Sequence, residues 1–215
     1  MPDKAWPPYR VGNPEHIHAL GVIASVFNLL EFNFRQLFNL YLRLPSSIAY
    51  ALFAKISNEM RLDLANRALD YSPHPNSIKD HVRHFLAGFR ACAENRNILM
   101  HSVAMFFWDD PNAERCPVLT PHIQPDAVAF QKTPKDEPFK INIYTPTIAE
   151  LRGIADSIKS FEDYGDRLYW YILQNCEPEY FKTFRLPDDV RFALPDRPAQ
   201  PTLLIPTREA PKEPL

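Results

Sequence analysis

Proline sets the outer limits of what this chain can fold into, because its ring removes a backbone donor and clashes with the preceding turn of a helix. The 22 prolines gather in residues 1–14, 111–146 and 178–214, with single breaks at Pro45, Pro73 and Pro75. Residues 15–44, 46–72, 76–110 and 147–177 are left free of them, and the whole chain has only five glycines. That distribution predicts a mainly α domain with one non-helical insert.

Apolar spacing gives the helices their faces. From Glu15 to Leu44 the steps of four and three run Leu20, Ala24, Phe27, position 31, Phe34, Phe38 and Tyr41, with Glu31 on the stripe. Ser46 or Ser47 caps the next predicted helix, whose apolar positions include Ile48, Leu52, Ile56 and Met60, and which runs to the break at 72–76. A third opens at Ser77 with Asp80 three residues on, and its stripe is Ile78, Val82, Phe85, Phe89, Cys92, position 96, Leu99 and Val103. Position 96 is Arg96. A buried charge needs a partner, so one acid and one base on two apolar stripes predict a Glu31–Arg96 ion pair between the helices.

After His101 the pattern changes. Ala127–Lys132 and Phe139–Tyr144 alternate as strands around a polar turn at 133–138, so residues 104–145 are expected to form a small β-hairpin or three-stranded insert. A fourth helix starts at a Thr147/Glu150 capping box, with Leu151, Ile154, Ile158, Phe161, Gly165, Leu168 and Ile172 on its stripe. The expected organisation is an extension (1–13), one helical domain (14–177) and a proline-rich tail (178–215) that builds neither helix nor inner strand. The 215 residues, 46% of them apolar, suit a single core.

Net charge is -2, so no broad basic surface advertises nucleic acid, and any RNA contact must be local. Cys92, Cys116 and Cys176 form no CxxC pair, which fits a reducing compartment. No apolar run approaches the roughly 20 residues of a membrane span. A cytosolic protein is expected.

The most informative stretch is ENRNILMHS, residues 94–102, which holds Arg96, Asn97 and His101. Spacing alone says little, since the chain has four Arg–His pairs with four to six intervening residues against about 1.5 expected by chance. Context singles this one out: an arginine on an apolar stripe, an asparagine directly after it, and a histidine on the asparagine's face. That polar face also carries Arg83, Arg90 and Glu94, and Arg96 stands about 140° from His101 around the helix.

The stretch resembles the R-x4-6-H signature of HEPN domains, all-helical domains in which Asn, Asp or His often follows the arginine. Two helices and then the motif late in the third also resemble the HEPN layout. The likeness covers residues 15–103 and 147–175, while the insert and the tail depart from the minimal pattern. It implies a four- to five-helix bundle acting as a homodimer, and a metal-independent endoribonuclease of the toxin, defence or stress-effector kind, with a cognate antitoxin or partner protein and no cofactor.

In that reading His101 is general acid or base, Arg96 orients the motif and binds phosphate, and Asn97 positions the phosphate or His101. Glu31 and Glu94 stand behind them, and Arg83 and Arg90 line the approach for RNA. The competing expectation is a non-catalytic HEPN-type dimerisation or interaction module. His81 and His84 with Asp80 have metal-like spacing but read more simply as solvated, and His16 and His18 read as surface residues. The aromatics Phe106–Trp108 and Tyr169–Tyr171 suit base stacking less well than core packing.

Overall fold

The long proline-free stretches are helical in the computed structural model, which describes residues 14–101, 103–104, 118–121, 141–144, 146–187, 189–205 and 208–209. The helices are α1 (Pro14–Leu42), α2 (Ser46–Lys55), α3 (Asn58–Asp70), α4 (Asn76–His101), α5 (Ile148–Cys176) and the short α6 (Pro178–Phe181). The chain divides into two compact units. One comprises Val22–Arg96 with Gly153–Leu203, and the other Met1–Gly21, Asn97–Arg152 and Leu204–Leu215.

The first unit is a helical bundle built on phenylalanine. Phe34, Phe38, Phe85, Phe89 and Phe161 are fully buried, and burial of each such side chain contributes about 1.5–3 kcal/mol. Phe34 is central, with ring centroids 4.4 Å from Phe89, 5.5 Å from Phe53 and 6.2 Å from Phe38. All seven stripe positions of α5, from Leu151 to Ile172, are buried as their spacing predicts.

Three expectations are corrected here. The single helix expected over 46–72 is two, because Ile56 and Ser57 are extended and the Ser57 hydroxyl caps α3 by accepting from the Met60 N–H at 3.3 Å. The break re-registers the faces: Ala49, Phe53, Leu62, Ala65 and Leu69 are buried, whereas Ile48 and Met60 face outward. On α1 the buried stripe centres on Ile23, Leu30, Phe34 and Leu37, which moves Glu31 to its flank. The tail begins with helix, since Pro178 at the first position of α6 supplies no donor that a first turn needs, and a 3₁₀ turn follows at Lys182–Phe184.

Beyond that turn the tail is an extended strap. Residues 190–203 carry no helix, and Pro195 and Pro201 are buried. The Trp170 and Phe192 rings stack at 5.5 Å with planes 15° apart. Gln174 donates to the Val190 carbonyl and accepts from the Phe192 N–H, both at 2.8 Å. Residues of α4 hold the far end of the strap: His84 bonds the Pro198 carbonyl at 2.8 Å, and Asn95 bonds the Thr202 carbonyl at 2.8 Å.

In the second unit four short antiparallel strands form one sheet in the order β1 (Val103–Ala104), β2 (Val118–Pro121), β3 (Ile141–Tyr144) and β4 (Arg208–Glu209). Val118 pairs with Tyr144, and Ile143 with Arg208. Of the two strands expected in the insert, Ala127–Lys132 lies outside the described residues. The Thr147/Glu150 capping box closes as expected, with Thr147 N–H donating to Glu150 at 2.6 Å and Glu150 N–H donating to the Thr147 hydroxyl at 3.1 Å.

Two further readings change. His16 is buried, not a surface residue, and neither ring nitrogen has a hydrogen-bond partner among the described residues. Among the described residues one helix, Glu15–Leu42, is long and apolar enough to cross a membrane. Within the bundle unit that helix buries Phe27, Leu30, Phe34, Leu37 and Phe38, as the core helix of a bundle does.

Two glycines set the approach of α4 and α5. A Cβ on Gly88 would lie 1.9 Å from the Phe161 ring, and one on Gly165 would lie 2.4 Å from the Phe85 ring. Alanine normally gains about 1 kcal/mol over glycine inside a helix, but overpacking a tight core costs about 1–3 kcal/mol. Gly88→Ala and Gly165→Ala are each expected to lower the melting temperature, whereas the exposed Gly153→Ala, with open space around its Cβ position, should raise it slightly. Thermal unfolding followed by circular dichroism checks this.

A second prediction concerns acid. Burial holds the His16 imidazole below its ordinary value, against the opposing pull of Glu15. Its unfolded form takes up a proton near pH 6.5 while the folded form resists. Stability is therefore complete above about pH 6.5 and falls as pH drops through the lowered value. Burial likewise lowers His81, aided by Arg197 and His84. Melting temperatures measured from pH 7.5 to 5 should fall, and His16→Leu should flatten part of that slope.

Candidate functional site

Helix α4 carries every residue of the R-N-x3-H stretch. Its repeat buries Phe85, Phe89, Cys92 and Leu99, so Arg96, four residues after Cys92, is half-buried on the same side. Its guanidinium lies 5.6 Å from the centre of the Phe27 ring, a placement in which the ring quadrupole attracts the cation. Asn97 and Glu94 are exposed. The backbone stays helical through His101, whose side chain lies outside the described residues. The boundary between the two units falls between Arg96 and Asn97.

The expected Glu31–Arg96 pair does not form. Glu31 accepts from Arg61 at 2.9 Å, because α3 brings Arg61 alongside α1. Arg61 is well satisfied there: it also donates to the Phe53 carbonyl and to Asn58, both at 2.7 Å, and lies 4.0 Å over the Phe53 ring. The expectation failed on geometry. The break at Ile56–Ser57, which aims α3, carries only a serine cap as its sequence signal.

Arg83 and Arg90 lie on the exposed face of α4, and carboxylates occupy both. Arg83 bonds Asp70 at 2.8 Å and Asp80 at 3.0 Å, and Arg90 bonds Glu59 at 3.1 Å. Exposed pairs of this kind contribute little stability, yet they lower the charge available to a polyanion.

The two histidines of HVRH are not simply solvated. His81 Nδ1 lies 2.9 Å from the Tyr164 hydroxyl. The His84 ring stacks on Phe161, and since the Pro198 carbonyl can only accept, His84 Nε2 carries the proton there. Gln200 donates to His84 Nδ1 at 3.0 Å. Among the described residues no three His, Cys, Asp or Glu side chains are grouped to hold a metal ion. Burial pushes the Cys92 thiol up to about 12, which leaves it unreactive near neutrality.

One buried polar chain escaped the sequence altogether. Tyr41 lies 3.1 Å from His74 Nδ1, His74 Nε2 lies 3.2 Å from Glu177, and Arg43 bonds the same carboxylate oxygen at 2.7 Å. A carboxylate only accepts, so Nε2–H donates to it, and the Tyr41 hydroxyl donates to Nδ1. Burial, then Cys176 and Glu177, push the Tyr41 phenol well above its ordinary value. The chain ties the end of α1, the loop before α4 and the end of α5, and every ring nitrogen in it is occupied. Its members stand far apart in sequence, so no local pattern marks them.

No family model, no curated protein and no solved structure matches this chain.

The polar chain generates a stability prediction. Removing one partner of a buried hydrogen bond leaves the other unsatisfied, at about 1–3 kcal/mol. Tyr41→Phe and His74→Ala are each expected to destabilise by that amount. The double variant should be less destabilised than the sum of the two, by about 0.5–1.5 kcal/mol. Urea unfolding of the four-member cycle measures the coupling.

Proposed function

We propose that the protein is a HEPN-like, metal-independent endoribonuclease that acts as a homodimer on single-stranded RNA. The observation that carries this reading is Arg96 half-buried over Phe27 on an unbroken helix that continues through Asn97 to His101. An arginine held by packing on the apolar side of a helix is a positioned cation, which is what a phosphate site needs.

The chemistry follows from the residue types. A histidine with an ordinary value near 6.5 takes the proton of the ribose 2′-OH, the 2′-oxygen attacks phosphorus in line, and the P–O5′ bond breaks. The 5′-oxygen leaves with a proton from a second acid, and the product is a 2′,3′-cyclic phosphate. Arg96 neutralises charge gathering on the phosphate, and Asn97 positions the phosphate or His101. At about 100° per residue, positions 96 and 101 are separated by about 140° around one helix, so two copies around a two-fold axis serve one phosphate better than a single copy. The β insert between the helices and the tail distinguish this chain from a minimal HEPN-like bundle. An antitoxin or partner protein and a cytosolic setting complete the reading.

A non-catalytic dimerisation or interaction module is the second reading. It is favoured by the carboxylates on Arg83 and Arg90, which leave that face of α4 poorly suited to a polyanion.

Cleavage of mixed RNAs by the purified protein in EDTA separates the two. Wild type is expected to cleave and to leave cyclic phosphate ends. His101→Ala, still dimeric by sedimentation, should lose at least about a hundred-fold in rate, and Arg96→Ala should lose a comparable factor. A folded, dimeric wild type that cleaves none of them supports the module instead.

A further inference from the structure

Five of the eleven guanidiniums in the bundle unit, those of Arg43, Arg61, Arg67, Arg83 and Arg90, are matched by acids. Arg35 has neither a carboxylate nor any other hydrogen-bond partner among the described residues, and its Nε is buried. Its guanidinium instead lies over two rings, 5.0 Å from the centre of Phe32 and 4.6 Å from that of Tyr50. Both rings are exposed, at 46% and 40%. With its guanidinium held against two rings, Nε buried and the residue only half-buried, Arg35 keeps its terminal nitrogens for an anion such as a phosphate.

The aromatic surface continues onto the end of α5 and onto α6. Burial raises the Tyr169 phenol, helped by the nearby Tyr180 and Tyr50. Tyr180 packs edge-on to Phe184 at 5.4 Å, and the two are 49% and 36% exposed. Arg185 follows in left-handed backbone at φ 50°, also without an acid among the described residues. Exposed rings bracketed by two unmatched guanidiniums differ from an ordinary apolar patch. Bases stack on rings whatever their identity, and arginine edges take the intervening phosphates.

We infer that Phe32, Arg35, Tyr50, Tyr180, Phe184 and Arg185 form a sequence-tolerant binding surface for single-stranded RNA. It rests on the ribonuclease reading for its biological sense but not for its test. The surface shifts the path of RNA from the acid-matched arginines of α4 to the aromatic side of the bundle unit.

The test is fluorescence anisotropy with labelled 2′-O-methyl oligouridine and oligoadenosine, which cannot be cleaved, titrated with the full-length protein at two salt concentrations. Expected is binding of both oligonucleotides that weakens with salt. Phe32→Ser and Tyr180→Ser should each weaken it about ten-fold, and Arg35→Ala should reduce the salt slope by about one. Met60→Ser, an exposed apolar change elsewhere, serves as the control, and circular dichroism checks each fold. No binding at low salt, or binding untouched by Phe32→Ser and Tyr180→Ser, overturns the proposal. So does self-association that these two changes abolish in the absence of RNA binding, which would assign the surface to a second copy.

Cleavage assayed in parallel keeps the two readings apart. Binding lost in the ring variants of a protein that cleaves nothing leaves this surface standing without the nuclease. Cleavage by a protein whose oligonucleotide binding ignores the ring variants does the reverse.

Discussion

The bundle unit depends on how closely α4 and α5 approach, and that distance is set by two glycine–phenylalanine contacts that mirror each other. Gly88 of α4 receives Phe161 of α5, and Gly165 of α5 receives Phe85 of α4. Each ring fills the space that a Cβ would take, so the two helices lock in register as well as in distance. His84 then stacks on Phe161, and Tyr164 reaches His81. The polar ties to the strap are built on that seam: move α4 by a fraction of a turn and His84 and Asn95 no longer meet the carbonyls of Pro198 and Thr202.

Matched charge dominates the surface of this unit. Glu31, Glu59, Asp70, Asp80 and Glu177 each hold an arginine. Against a net charge of only -2 such pairing leaves little field for steering. Recognition of any anion then falls to guanidiniums such as Arg35, which lies over the Phe32 and Tyr50 rings and has no acid among the described residues.

Much of the helical architecture was legible in sequence because proline exclusion and apolar period act locally. The α5 stripe was read position by position, and the capping box at Thr147 and Glu150 formed as written. The boundary at Ile56–Ser57 was not, since a two-residue extended break inside an apolar run differs from continuous helix only by one serine cap. From that miss followed the wrong partner for Glu31: periodicity gives the face of each helix but not the direction of its neighbour. For the candidate site, the sequence placed Arg96 on the apolar side of α4 and Asn97 on the polar side. It missed the buried role of Asn95 and the Tyr41–His74–Glu177 chain, because both join residues more than 100 positions apart.

The strap also says something about the order in which this fold is completed. A chain emerges from its N-terminus, and α1 to α5 carry the phenylalanine core, so that core can form while residues 190–203 are still to come. His84 and Asn95 must then wait in water for the carbonyls they eventually bind. The strap contributes two buried prolines and a ring stacked on Trp170, and with proline's restricted backbone it loses less chain entropy on docking than most sequences would. It closes the bundle without having to nucleate it.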